Sequence, residues 1–483
     1  MKKLIISVSF GLSMSTTLLC MPATSNTIPE PKRADSCSTD NLQKHQKIIS
    51  KLFKSAIKTN PSINKSYQTY LANKKLEQAD IASYFPSLSA SAKYLLPTND
   101  YGNSVNWDPD LLEYSSSNYY YNYSYSPNIS LEISMPILDL VKVFSTKQLK
   151  DNSYSLDYAY QGTLKDIMQQ TLNNYIDFQL LIENTSIAEG IVDEFELITS
   201  TQKALLEEGF ANMLDYVIQN NTLLTSKAKL AARKKDLENA ISQIKYLTSI
   251  HLKLDQDFVP LPSPLCIPKV QSLEILNASA EKNYEKLSEL RWRLKSLSNQ
   301  ANAALSTYAP KLKAGYSLSY FEQNGNINGY SKYGEKYSNF TGSPYISVEM
   351  KFNLAGGDYL QYQSILLQKE SIKSAISETA EQVSNSMQHS INATNTSRDN
   401  FSIYAKQYET SKQAISVLKY AVDTGFVEAS AFNQLQNSYF ASVSSAAKEL
   451  GYLLKAYVNI NRLSGETGES SFPFKLYLPQ EAQ

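Results

Sequence analysis

The sequence predicts an α+β membrane protein made of two internal repeats, in which a few amphipathic strands are continued by very long helices. Three observations carry this prediction. Short landmarks recur in the same order in both halves of the chain, and four segments alternate apolar and polar residues with period two. Two further runs, 140–206 and 357–422, contain no proline and almost no glycine.

The N-terminus reads as an address. Lys2 and Lys3 precede an apolar stretch over 4–21, and Ala23-Thr24-Ser25 gives a small-residue exit, so 1–25 is a signal peptide cleaved after Ser25. Cys20 follows Leu19 rather than a small residue, which disfavours a lipid anchor there. No other run of 18 apolar residues occurs, so any membrane insertion must use strands. The chain has 483 residues with 46 Lys+Arg against 46 Asp+Glu, a balance that argues against a nucleic-acid binder. Its three histidines (His45, His251, His389) and three cysteines (Cys20, Cys37, Cys266) are widely separated in sequence. Such a set does not readily build a zinc or thiol centre, so no cofactor and no metal are expected.

The repeats begin after an N-terminal extension, 26–40. Tyr84-Phe85-Pro86-Ser87-Leu88 is echoed by Tyr308-Ala309-Pro310-Lys311-Leu312, and Ile129-Ser130-Leu131-Glu132-Ile133 by Ile346-Ser347-Val348-Glu349-Met350. Glu208-Gly209-Phe210 is echoed by Thr424-Gly425-Phe426. The offsets are 224, 217 and 216 residues, which places repeat 1 at 41–252 and repeat 2 at 270–463. A linker at 253–269 carries Pro260, Pro262, Pro264 and Pro268, and a tail occupies 464–483.

Each repeat reads helix, strand, loop, strand, long helix, tight turn, helix. In 86–96 the residues Leu88, Ala90, Ala92, Tyr94 and Leu96 share one face against Ser87, Ser89, Ser91 and Lys93. In 129–135, Ile129, Leu131, Ile133 and Met135 oppose Ser130, Glu132 and Ser134. Segment 311–320 sets Leu312, Ala314, Tyr316, Leu318 and Tyr320 against Lys311, Lys313, Ser317 and Ser319. Segment 345–352 sets Ile346, Val348, Met350 and Phe352 against Tyr345, Ser347, Glu349 and Lys351. Strands apolar on one side and wet on the other fit a membrane β-barrel, although a soluble sheet packed on one face has the same pattern. Four strands cannot close a membrane barrel, and an open edge in lipid leaves backbone groups unpaired, so the reading demands an oligomer.

The two proline-free runs would each extend roughly 100 Å as helix. Leu164, Met168, Leu172, Tyr175 and Ile176 form a coiled-coil-like stripe on the first, while the second interleaves Ser384, Asn385, Ser386 and Ser390 with Val383, Met387 and Ile391. Tyrosine is abundant, at 34 residues. Tyr119, Tyr120, Tyr121, Tyr123 and Tyr125 crowd the end of the first inter-strand loop, and Tyr320, Tyr330, Tyr333 and Tyr337 surround the second, as aromatic residues do at barrel rims.

Taken together, the chain resembles the TolC family of outer-membrane efflux and secretion channels. The resemblance rests on the strand entries at Tyr84 and Tyr308 and on the exits Pro136-Ile137-Leu138-Asp139 and Asn353-Leu354-Ala355-Gly356-Gly357. It rests also on the turns beginning Gly209-Phe210-Ala211-Asn212 and Gly425-Phe426-Val427-Glu428. It implies a homotrimer with a twelve-stranded β-barrel in outer-membrane lipid, continued by an antiparallel α-helical barrel in the periplasm. The implied partners are a periplasmic adaptor protein and an inner-membrane pump or ABC exporter, engaged at a tip formed by the two turns. By the same resemblance Asp215 matches an aspartate gate partner, though a helix-start carboxylate explains it equally well. Val422 and Val427 stand where the family has a gate tyrosine and arginine, and Ala431 and Gln434 where it has an acidic ring. The implied gate is therefore held by apolar contact and by neutral hydrogen bonds through Gln434. The family also implies that the segments of Cys37 and Cys266 meet near the middle of the helical tube, where a Cys37–Cys266 disulfide would form in an oxidising compartment.

Other classes fit less. No Gly-rich phosphate loop, nucleophile elbow or His-centred constellation appears, so the sequence offers no enzyme. A periplasmic coiled-coil scaffold would account for the helices but leave the four strands unexplained. Within the channel reading, drug efflux and type I protein secretion both remain open.

Overall fold

A computed structural model of the protein describes residues 39–95, 99–108, 113–124, 126–264, 267–326, 335–352, 355–423 and 429–465. The described residues divide into two compact units, a smaller one at 183–233 and a larger one holding 39–182 with 234–465. The expected signal peptide, Cys20, Cys37, Cys266 and the tail beyond 465 lie outside the described residues.

In chain order the elements are α1 (Thr39–Thr59), α2 (Pro61–Ala82), β1 (Ser87–Leu95), β2 (Asn99–Asp108), β3 (Glu113–Ser124), β4 (Ser126–Leu138), α3 (Leu140–Glu207) and α4 (Met213–Thr248). A short α5 (Leu254–Asp257) follows, then α6 (Leu273–Asn283), α7 (Glu285–Leu305), β5 (Lys311–Asn326), β6 (Glu335–Glu349), α8 (Gly357–Asp423) and α9 (Ala429–Ser464). The lengths echo between the halves: α3 and α8 have 68 and 67 residues, and α4 and α9 have 36 each. Among the described residues no helix is long and apolar enough to cross a membrane.

The sheet departs from the expected four strands. β1, β4, β5 and β6 pair antiparallel in that spatial order, and a further ribbon, β2 with β3, joins through three residue pairs at the far end of β5. Tyr119, Tyr120, Tyr121 and Tyr123, expected in a loop, therefore lie in β3, while Tyr320 lies in β5 and Tyr337 in β6. Tyr125, Tyr330 and Tyr333 fall outside the described residues. The expected strand 345–352 runs instead from Glu335 to Glu349, because backbone pairing with β5 extends toward the hairpin and stops before Met350.

In the larger unit the helices hold a main apolar core and a second cluster of Leu276, Ala280, Val383, Met387, Ile460 and Leu463. Leu52, Phe53 and Ile63 from α1 and α2 pack with Leu164, Met168, Leu172, Tyr175 and Ile176 of α3, and with Ile244 of α4 and Leu453, Leu454 and Val458 of α9. Local chemistry sets the helix joints. Asn60 caps α2, its side-chain oxygen accepting from the backbone N–H groups of Ser62 (3.0 Å) and Ile63 (3.4 Å), with Pro61 in the first turn where no N–H is needed. The Asn60 amide also donates to the Leu247 carbonyl at 3.2 Å, tying this joint to the end of α4.

Two polar knots sit within that unit. His45 Nε2 donates to the Pro260 carbonyl at 3.1 Å, which leaves Nδ1 to accept from the Tyr175 hydroxyl at 2.8 Å. Burial pushes this histidine down to about 4 and raises the Tyr175 phenol above its usual range. The second knot is ionic. Arg462 donates to Asp166 (2.8 Å) and to Glu285 (2.7 Å), Lys165 pairs with the same Glu285, and the guanidinium lies over the Tyr284 ring at 5.1 Å.

Candidate functional site: an amphipathic sheet and a helical turn

The register of the sheet turns the period-two pattern of each strand into continuous faces. Across the ladder Leu88 lies opposite Ile133, Ile133 opposite Tyr316, and Tyr316 opposite Pro344. The next row joins Ala90, Leu131, Leu318 and Gly342, and the one after it Ala92, Ile129, Tyr320 and Phe340. Below them Met135, Ala314 and Ile346 align, then Leu138, Leu312 and Val348. This face is not covered: Leu88 is 69% exposed, Ile346 72% and Val348 65%. Burying such a surface is worth on the order of 25 cal/mol per Å², so its exposure on the isolated chain calls for an apolar surround.

The opposite face is wet. Its rows join Ser87 with Ser134 and Gly315, Ser89 with Glu132, Ser317 and Ser343, and Ser91 with Ser130, Ser319 and Thr341. Hydroxyls bond across it, Ser91 with Ser130 at 2.7 Å and Ser319 with Thr341 at 2.9 Å. β1 and β6 each have one partner among the described residues, which leaves an open edge at either side of the four-strand ladder. Two glycines admit close neighbours. A Cβ on Gly315 would lie 2.6 Å from the Tyr345 ring, and a Cβ on Gly342 would collide with the Tyr316 hydroxyl.

The smaller unit carries a turn between α3 and α4. Gly209 ends α3 in the left-handed region, at φ 80°. Its N–H donates to the Leu206 carbonyl (3.1 Å) and the Phe210 N–H to the Leu205 carbonyl (2.8 Å), the two bonds of a Schellman cap. Asn212 then opens α4, its side-chain oxygen accepting from the Leu214 N–H at 3.1 Å, which puts Asp215 in the first turn at the positive end of the helix. Phe210 is 81% exposed, and Met213, Leu214 and Ile218 beside it are also exposed. Behind the turn Val192, Phe195 and Leu223 form a small core, and Lys227 pairs with Glu196 at 2.7 Å.

Residues 52–248, which run from α1 through the strands to the end of α4, match the family described as outer membrane efflux protein. Solved structures carry the same fold. The Campylobacter jejuni CmeC outer membrane channel matches over 95% of this chain and 94% of its own, with a TM-score of 0.66 and 14% identity. The open state of the Neisseria gonorrhoeae MtrE outer membrane channel covers 86% and 88%, with a TM-score of 0.65 and 14% identity. A membrane protein from Pseudomonas aeruginosa covers 86% and 92%, with a TM-score of 0.68 and 13% identity. A search of the curated proteins finds no match.

The residues singled out from sequence fare unevenly. Gly209 and Phe210 form the described turn, and Asp215 stands exposed just beyond it. Gly425 and Phe426 lie outside the described residues. Ala431 and Gln434 fall in the first turns of α9, with Gln434 exposed. The Lys165–Glu285–Arg462 knot was not foreseeable from sequence, since its members are 120 and 177 residues apart. Among the described residues no group of His, Cys, Asp or Glu could hold a metal ion.

Proposed function

We propose that the protein is an outer-membrane efflux channel, the exit duct of a tripartite export system, opened by a periplasmic adaptor and an inner-membrane pump or ABC exporter. The observation that carries the reading is the uncovered apolar face of the sheet, backed by a hydroxyl-lined face and flanked by two open edges. In lipid, the apolar face would meet acyl chains and the polar face a water-filled lumen, but the open edges cannot remain unpaired. Three chains supplying β1, β4, β5 and β6 give twelve strands and pair every edge, β6 of one copy against β1 of the next. The matching lengths of α3 with α8 and of α4 with α9 support an internal duplication, and the long helices would continue the barrel as an α-helical tube into the periplasm.

The deciding experiment is the native mass of protein extracted from outer membranes in mild detergent. A trimer that stays with the membrane through a high-salt wash is expected. A stable monomer released by salt would replace the channel with a periplasmic scaffold.

The turn at Gly209 and its counterpart at Gly425 would form the closed periplasmic end, with Asp215, Ala431 and Gln434 facing the aperture. With alanine and glutamine in place of two carboxylates, the constriction lacks a strong field for cations. Gln434→Lys in every subunit would then shift permeability toward anions, read as a change in reversal potential across a planar bilayer. An unchanged potential would remove Gln434 from the aperture. A Cys37–Cys266 disulfide would fasten the N-terminal extension to the linker, and non-reducing peptide mapping tests it directly.

A further inference from the structure

The wet face of the sheet has one ionic feature near its middle. Lys313 on β5 donates to the Glu132 carboxylate on β4 at 2.8 Å, and the Tyr345 hydroxyl on β6 donates to the same oxygen. Three adjacent strands thus converge on one carboxylate, and the Tyr345 ring is held over Gly315, where no side chain obstructs it. Around this triad the face is Ser89, Ser317, Ser343 and Ser347. The other charged groups of this face lie away from the middle. Lys93 is at the hairpin end, while Lys311, 3.8 Å from Asp139, and Glu349 are at the helix end. The central pair is in direct contact, and no other charge among the described side chains of this face lies in the rows that hold it.

We propose that Glu132, Lys313 and Tyr345 form a charge-balanced belt on the lumen wall, which makes the barrel indifferent to the sign of a passing solute. This rests on the channel reading above and deepens it: the cargo class the barrel admits is set by size and hydration, not by charge. A lone wall charge projects a field over roughly 10 Å at 0.1 M salt, whereas a contact pair cancels within a few ångströms. Three copies of the belt would ring the bore, so breaking the pair on one side exposes three like charges together. The Tyr345 hydroxyl keeps Glu132 turned toward Lys313, which makes Tyr345 a positioning residue.

The test is reversal potential in planar bilayers under a potassium chloride gradient near 0.1 M, using the full-length protein. Wild type is expected to discriminate little. Glu132→Gln leaves Lys313 unbalanced and should favour anions by about twofold or more, the scale of a wall potential of order kT. Lys313→Gln should favour cations by a similar factor, and the double variant should return to the wild-type value. Opposite shifts that cancel cannot come from a merely structural disturbance. Single variants that conduct with the wild-type potential, or that both move in one direction, overturn the belt while leaving the channel standing. A wild-type protein that never conducts removes the channel reading itself, and the belt falls with it.

Discussion

His45 joins three distant stretches of chain: α1 through its own backbone, α3 through the Tyr175 hydroxyl and the linker through the Pro260 carbonyl. Both ring nitrogens are engaged as a neutral imidazole, and burial holds the group at about 4 against 6.5 when solvated. The native state therefore resists protonation more than the unfolded chain does. Its stabilising effect is complete above pH 6.5, declines as pH falls, and is spent below about 4. The whole effect is worth about 3 kcal/mol. His45→Gln should be less stable at neutral pH but lose less on acidification, so the melting temperatures of wild type and variant converge between pH 7.5 and 4.5. Parallel curves would show that His45 does not carry the acid sensitivity. None of this was legible in the sequence, where three scattered histidines argue only against a metal site. Tyr175 was legible as one member of an apolar stripe, but its hydroxyl's partner 130 residues away was not.

At the scale of elements, the helices and strands were readable to different degrees for a physical reason. α3 and α8 announced themselves because in these long tracts no proline and few glycines interrupt a helix. β1, β4, β5 and β6 announced themselves because an apolar surround on one side imposes period two. The β2–β3 ribbon carries no such imprint: runs such as Tyr119-Tyr120-Tyr121 put similar residues on both faces, and only the pairing of the two strands defines them. The ionic knot was equally hidden, since Lys165, Glu285 and Arg462 each read as ordinary surface charges until α3, α7 and α9 bring them together. It should matter energetically. Arg462→Met withdraws a guanidinium from a buried carboxylate and should destabilise the helices by about 3 kcal/mol. Trp292, which stacks on Tyr154 across α7 and α3 at 4.6 Å, gives a fluorescence reading of that loss during urea unfolding. A variant with the wild-type midpoint would show that Lys165 alone satisfies Glu285.

For the whole molecule, the sequence contained the demand for partners but not their geometry. Amphipathic strands too few to close a barrel lead to the expectation of more copies of the chain; the folded sheet has an uncovered apolar face, and its outer strands have one partner each among the described residues. Leu131 sits in the row next to the middle one of this face. Leu131→Arg would place a guanidinium near the bilayer centre and should cost about 2–4 kcal/mol per subunit, depleting assembled protein from the outer-membrane fraction. Undiminished assembly would mean that this face does not meet lipid. The Gly315–Tyr345 and Gly342–Tyr316 contacts add a constraint on how the wall can be laid down. They lie on opposite sides of the same β5–β6 seam, so sliding one strand by two residues, which preserves every inside–outside choice, would drive both rings against residues bearing a Cβ. The hairpin accepts one alignment as a two-sided key accepts one lock. Strand stagger and strand number together fix the diameter of a closed barrel. If three chains close one barrel as proposed, two missing methyl groups help decide how wide its bore is.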